Sequence, residues 1–422
     1  MSKNYKQNFC PSPWFSMRIL NSGDYEYCRW ADAPHTHNIK TTAPIEYFQQ
    51  EMQSFRQTFL DGDMPAGCHP CSNMECHKKI SGRQRQLLKI GVRLEKFEKT
   101  LVSSPWASEF SKTSFQQFPQ DWQIDLGNQC NSACVFCTPE FSSRLAIEWK
   151  KIGFIDQLPP TNWSDDPLLI QRFINTLTQS PNIQYLHFLG GETIITPAFK
   201  VILQALIDTG LNKTANIGFT TNLSVWDDTV IELLKQFQGV NLGMSIESFS
   251  IINDYVRYPV CLPTVFENLE RWKKIAEENN WFVQLRTTPS CLTLDKLLPI
   301  YDYALDHNMS VESCNFLYKP EVMKPSVLPM EYRNKIIEKM QQWIDRHHVS
   351  ADPVVNIRNP GTIQAQLVQD LTSYVNYLKN EPDESHRLPD LVVWLKRIEA
   401  NRGNSILTYL PEYEELFRSA GY

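Results

Sequence analysis

Cys130, Cys134 and Cys137 stand in the run DLGNQCNSACVFCTPE. Their C-x3-C-x2-C spacing lets three thiolates from one short loop converge on three corners of an iron–sulfur cube, because each gap holds a turn and is too short for a regular element. One iron is then left without a protein ligand. Thiolate is the soft, anionic ligand such a cluster needs, and an open iron is a place for a small molecule to coordinate. In a chain with 11 cysteines, a C-x2-C pair alone would read equally as a zinc knuckle or a redox pair.

The elements around the loop follow a strand-helix plan. IQYLHFL, at 183–189, reads as a buried strand that runs into Gly190, Gly191 and Glu192 before Thr196 and Pro197 open a helix. Two glycines at a strand end let a ligand approach the backbone, and a carboxylate beside them accepts hydrogen bonds from an ammonium group. Further strand-like runs lie at 122–127, 215–221, 240–246, 281–288 and 309–317, with helical periodicity at 197–208, 227–237 and 263–279. The alternation predicts an α/β fold, a partial (βα)6 TIM-type barrel whose strand C-terminal ends form the site face. The cysteine loop, Gly190 to Glu192, Asn222 and Ser245 all fall at such ends.

A three-cysteine loop followed one βα unit later by GGE resembles the radical S-adenosylmethionine (SAM) superfamily. The resemblance implies a SAM-binding 4Fe–4S cluster on Cys130, Cys134 and Cys137, with Phe136 reaching the adenine and Gly190, Gly191 and Glu192 receiving the methionine amine. It places Thr221 and Asn222 near the ligand and Ser245 and Glu247, in GMSIES, against the ribose or carboxylate. Arg257, in NDYVRYP, resembles an arginine that meets the methionine carboxylate, to which its fork geometry is suited. Singly, each of these reads equally as a cap or a surface polar group. No catalytic side chain is assigned, because the resemblance leaves the hard chemistry to the cofactor.

The first hundred residues hold a second group of thiols: Cys10 before PSPW, Cys28 five residues after Gly23, and the pair Cys68 and Cys71 in GCHPCSNMECHKKISGRQR. This order resembles the twitch form of SPASM-like auxiliary-cluster domains, here placed before the barrel. It implies an auxiliary 4Fe–4S cluster on Cys10, Cys28, Cys68 and Cys71, with Cys76 as a possible substitute and Glu75, Ser81 and Arg83 matching the family pattern. A structural zinc site drawing on Cys76, His69 and His77 remains the alternative. Cys261, Cys291 and Cys314 read as buried core thiols.

At 422 residues the chain can hold a barrel and accessory regions. The expected division is a cysteine-rich module at 1–90, a linker at 91–120, the barrel at 121–320 and a helical C-terminal extension at 321–422, with helices near 329–347, 361–379 and 390–401. A net charge of −6 gives no basic footprint and argues against nucleic acid as a main partner. No apolar run approaches the ~18 residues of a membrane helix, and MSKNYKQNF lacks a signal peptide's apolar stretch. Cysteine-rich and without a leader, the chain is expected in the reducing cytoplasm, with thiols serving metal and not disulfides.

The activity implied is reductive cleavage of SAM to a 5′-deoxyadenosyl radical that takes hydrogen from a substrate C–H. A peptide or protein is the expected substrate, a sugar, nucleotide or small metabolite the alternative, and flavodoxin or ferredoxin the expected reductant. A non-catalytic iron–sulfur or zinc scaffold is the reading from a different class. The segment Arg402 to Pro411, RGNSILTYLP, resembles a closing segment whose role the sequence does not disclose.

Overall fold

The computed structural model describes residues 8–28, 31, 36–76, 81–89, 118–180, 183–313, 316–348 and 361–422. The expected linker, apart from 118–120, lies outside them, as do His77, Cys314 and the side chain of Cys76. Among the described residues there are eight strands: β1 (Ser16–Ile19), β2 (Tyr25–Glu26), β3 (Asp121–Asp125), β4 (Tyr185–Leu189), β5 (Asn216–Thr221), β6 (Gly239–Ser245), β7 (Phe282–Arg286) and β8 (Ser310–Glu312). They hydrogen-bond in the order β2-β1-β3-β4-β5-β6-β7-β8. The six strands foreseen from the sequence are β3 to β8. Two more precede them, so the cysteine-rich segment supplies a hairpin to the sheet, with β2 antiparallel to β1 and β1 parallel to β3.

The chain divides into two compact units, one of Met1–Gly127, Pro160–Phe219 and Asp227–Asn241, the other of Asn128–Pro159, Thr220–Trp226 and Leu242–Tyr422. In the first, alternation along the strands separates an apolar face from a polar one. Trp122 of β3 meets Phe173 of the helix Pro167–Gln179 edge-on at 5.5 Å, and Phe199 of the helix Pro197–Asp208 lies 5.0 Å from Phe188 and 5.6 Å from Phe219. On the other face Arg18 bridges Glu26 at 2.9 Å and Asp125 at 2.6 Å. The Tyr185 hydroxyl and His187 Nδ1 are 2.9 Å apart. His187 is paired in register with Gly218, where a Cβ would stand 2.0 Å from the Tyr185 hydroxyl, so only glycine leaves room for the pair.

In the second unit β7 and β8 are parallel, with Arg286 opposite Glu312. Arg286 meets Glu312 at 2.8 Å and donates to Thr220 Oγ1 at 2.9 Å. The helices foreseen after residue 320 form at Met330–His347, Ile363–Asn380 and Leu388–Arg402. The last of these packs on the helix Ser143–Lys151 and its following turn, Trp394 standing 6.4 Å from Trp149 and stacking on Phe154 at 6.1 Å. One expectation is corrected. Cys261 is exposed, not a core thiol, because it stands at the N-cap of the helix Leu262–Asn279, which Pro263 opens. Cys291 is buried as expected.

Candidate functional site

The cysteine loop lies in the second unit and leads into the helix Ser143–Lys151. Cys134 is buried, and Cys130 and Cys137 are partly so. With its thiols left aside, the loop is held by its backbone: Ala133 N donates to Tyr258 O at 2.7 Å and Val135 N to Val256 O at 2.9 Å. Ser142 caps the helix, accepting from Leu145 N at 3.1 Å and donating to Ser132 O at 2.5 Å. Asn222, after β5, donates to Asn131 Oδ1 and Ser132 Oγ, both at 2.9 Å. The side chain expected near the ligand thus grips the loop itself. Thr221 is fully buried, its Oγ1 accepting from Leu223 N at 3.2 Å, and Ser245 is part-exposed at the end of β6.

Arg257 and Glu247 meet beside this loop. Arg257 Nη2 donates to Glu247 Oε1 at 2.5 Å, and the other carboxylate oxygen accepts from Thr287 Oγ1 at 2.9 Å and Thr288 N at 2.8 Å. The guanidinium carbon lies 5.3 Å from the centre of the Phe136 ring. Burial works against the Arg257 charge, but Glu247 and the cysteines outweigh it and its pKa is raised. Burial pushes the Cys134 and Cys137 thiols up, with Arg257 pulling the other way. These are thiols that give up protons when a metal takes them. Arg257 Nε is buried with no hydrogen-bond partner among the described residues. A buried donor without an acceptor is costly, so this one suits an acceptor that the chain does not itself supply. The donor set therefore fits a three-thiolate cluster with a carboxylate-bearing ligand.

Gly190, Gly191 and Glu192 belong to the first unit, directly after β4. Gly190 has φ +128°, and a Cβ there would lie 2.4 Å from Gly127 O, to which Gly191 N donates at 2.7 Å. Glu192 is buried and caps the short helix Thr193–Ile195, its Oε1 accepting from Ile194 N at 3.5 Å. Thr196 Oγ1 donates to Glu192 O at 3.1 Å.

In the N-terminal segment Cys10, Cys28, Cys68 and Cys71 line one cavity together with Tyr27 and Arg83. Burial raises the Cys10 and Cys68 thiols, each to about 12. Glu75, Ser81 and Arg83 bond to one another: Ser81 Oγ donates to Glu75 Oε1 at 2.5 Å, Arg83 Nε donates to the same oxygen at 3.1 Å, and Arg83 Nη1 reaches Phe9 O at 3.3 Å. His69 is exposed. Four thiols around one space, with a cation beside them, match the donors of a four-iron cluster. Among the described residues no three His, Cys, Asp or Glu side chains are placed to share a single metal ion.

Sequence reasoning missed Asn131, Ser132, Glu148 and Arg402. The Arg402 side chain is fully buried, and its Nη2 donates to both Ala133 O and Glu148 Oε2 at 2.6 Å. Its only signal was a charged residue at the mouth of the unexplained closing segment.

Residues 124–285 match the family model described as the Radical SAM superfamily. Over these residues the chain carries a domain of that superfamily. No curated protein matches its sequence. Among solved structures it is similar to Streptococcus suis SuiB bound to S-adenosylmethionine, at 11% identity and TM-score 0.36 over 74% of this chain and 67% of that one. It is similar to anSMEcpe with bound AdoMet at 14% identity and TM-score 0.37, over 53% of this chain and 60% of that one. It is also similar to TsrM from Kitasatospora setae at 14% identity and TM-score 0.32, over 58% of this chain and 44% of that one. The chain thus spans about two thirds or less of the length of these solved chains. Among the described residues no helix is long and apolar enough to cross a membrane.

Proposed function

We propose that this radical SAM enzyme takes hydrogen from an unactivated C–H of a peptide or protein substrate, working in the cytoplasm with a small reducing protein such as flavodoxin or ferredoxin as electron donor. The observation that carries the reading is the cysteine loop, clamped through its backbone and flanked by the buried Arg257–Glu247 pair. Cys130, Cys134 and Cys137 would hold a 4Fe–4S cluster. The chemistry such a cluster supplies when SAM is bound is one-electron cleavage to methionine and a 5′-deoxyadenosyl radical.

The chain's own residues do the placing. Arg257 offers its unused Nε to a carboxylate while Glu247, engaged by three protein donors, fixes the guanidinium. Phe136, against Arg257, offers a ring face to the adenine, and Thr221 and Ser245 bound the ligand at the ends of β5 and β6. Glu192, with Gly190 and Gly191, receives the methionine amine. Cys10, Cys28, Cys68 and Cys71 would hold an auxiliary four-iron cluster within a module spanning 1–90, and its likeness to modules of peptide-modifying enzymes supports the substrate class.

Protein reconstituted without air and then reduced is expected to convert SAM into 5′-deoxyadenosine and methionine. Changing Cys130, Cys134 and Cys137 together to alanine is expected to abolish that turnover, and a triple variant as active as the parent overturns the assignment. Label transfer from a deuterated peptide into 5′-deoxyadenosine tests the substrate class.

A further inference from the structure

The helix Leu388–Arg402 ends at Gly403, in the left-handed conformation with φ +70°, and its last turn reaches the cysteine site at two points. Glu399 Oε1 accepts from the Tyr255 hydroxyl at 2.8 Å, two residues before Arg257. Arg402 donates to Ala133 O at 2.6 Å, the residue before Cys134. Its fork is fixed by Glu148, with Nε to Oε1 at 2.8 Å and Nη2 to Oε2 at 2.6 Å, and its guanidinium carbon lies 4.5 Å from the centre of the Tyr258 ring. Ala133 N bonds to Tyr258 O, so both hydrogen-bonding groups of one peptide segment of the loop are taken. The Arg402 side chain is wholly buried, yet its Nη1 has no hydrogen-bond partner among the described residues. Arg257 Nε is in the same state on the same unit. A buried arginine is costly, so the bonds it makes to Ala133 O and Glu148 must offset that cost.

We infer that Arg402 is a positioning residue of the three-cysteine site: it locks the loop at Ala133 and keeps a positive charge and a spare donor beside Cys134 for the group the loop binds. The charge acts on the cluster's redox balance, because a nearby cation favours the more negative, reduced form. The closing segment is thereby part of the metal site. The inference rests on the reading of Cys130, Cys134 and Cys137 as cluster ligands.

The test compares the reconstituted full chain with Arg402→Gln and Arg402→Lys. Three quantities are read: the rate of iron loss to a chelator, the midpoint potential, and the change that SAM causes in the electron paramagnetic resonance of the reduced cluster, which belongs to the open-iron cluster alone. Arg402→Gln is expected to lose iron several-fold faster and to make one-electron reduction about tenfold less favourable, a fall of about 59 mV. Arg402→Lys keeps the charge and loses the fork, so its iron is expected to be labile while its potential stays at the parent's value. Thermal melting of each variant reports folding; if Arg402→Gln does not fold, the lysine variant carries the test by splitting the two readouts. Folded variants with the parent's iron lifetime and potential overturn the inference. A parent that lacks the SAM-sensitive signal overturns the cluster reading instead.

Discussion

Arg257 and Glu247 form a buried ion pair, 2.5 Å between nitrogen and oxygen, whose acid is held by Thr287 and Thr288 and whose base lies against Phe136. The pair joins the segment after β6 to the residues after β7 and to the cysteine loop. Breaking it from either side has different consequences.

Glu247→Gln leaves the Arg257 charge buried and uncompensated, which is expected to cost about 3 kcal/mol of folding stability. Arg257→Lys keeps a charge opposite Glu247 but removes the fork, so SAM affinity is expected to fall about tenfold, in line with the ~1.5 kcal/mol of a charged hydrogen bond. Urea unfolding and equilibrium binding of SAM measure the two. An unchanged urea midpoint for Glu247→Gln would show that the pair does not hold this region together.

Glu192→Ala is expected to weaken SAM binding about tenfold or more while iron per chain stays the same, since a carboxylate outside the three-cysteine loop is not needed to build the cluster. The lost cap on Thr193–Ile195 is expected to cost about 1 kcal/mol besides. Iron analysis beside SAM titration separates the outcomes: iron loss makes Glu192 structural, and unaltered affinity removes it from the site.

The N-terminal cavity predicts a metal count. Two four-iron clusters give about eight irons per chain in the parent and about four in the Cys130, Cys134, Cys137 triple variant. Cys71→Ser is expected to lose or degrade the remaining cluster and Cys76→Ser to keep it. A colourless triple variant that holds zinc would instead establish the single-ion site.

Asp227 predicts a pH effect. It caps the helix Asp228–Leu234, accepting from Val230 N at 3.0 Å, and meets Lys200 at 2.5 Å. Burial raises its pKa, but Lys200 and the backbone donors together outweigh that and hold the carboxyl below its ordinary range. A depressed folded pKa means stabilisation present above the unfolded value of about 3.9 and lost as pH falls through the folded one. Asp227→Ala is expected to cost about 1 kcal/mol at pH 7, chiefly as a cap, since the exposed pair adds little. Melts at pH 7 and near pH 3 should show the gap between parent and variant shrinking in acid. A gap independent of pH would mean the charge has no part in it.

The cysteine loop was legible because its thiols are neighbours in sequence, and β3 to β8 because each carries its own apolar run. The helix Pro197–Asp208 was legible to the residue, since Thr196 and Pro197 mark its start and Gly210 lies just past its end. What depends on distant partners was not. The hairpin of β1 and β2 is short, and its place beside β3 is set by pairing across about a hundred positions. Asn222 was placed near the ligand from its strand end, but its partners at 131 and 132 lie some ninety residues earlier. Cys261 was read as a core thiol, and the proline two residues on, opening a helix, decided otherwise.

The bond between Arg402 and Ala133 spans 269 positions. At 5–20 residues per second, ribosomal synthesis separates the two partners by on the order of 10–50 s. All three thiols therefore emerge well before the last hydrogen bond that fixes their loop can form. During that interval the three-cysteine loop lacks this clamp and is a looser segment than in the finished protein.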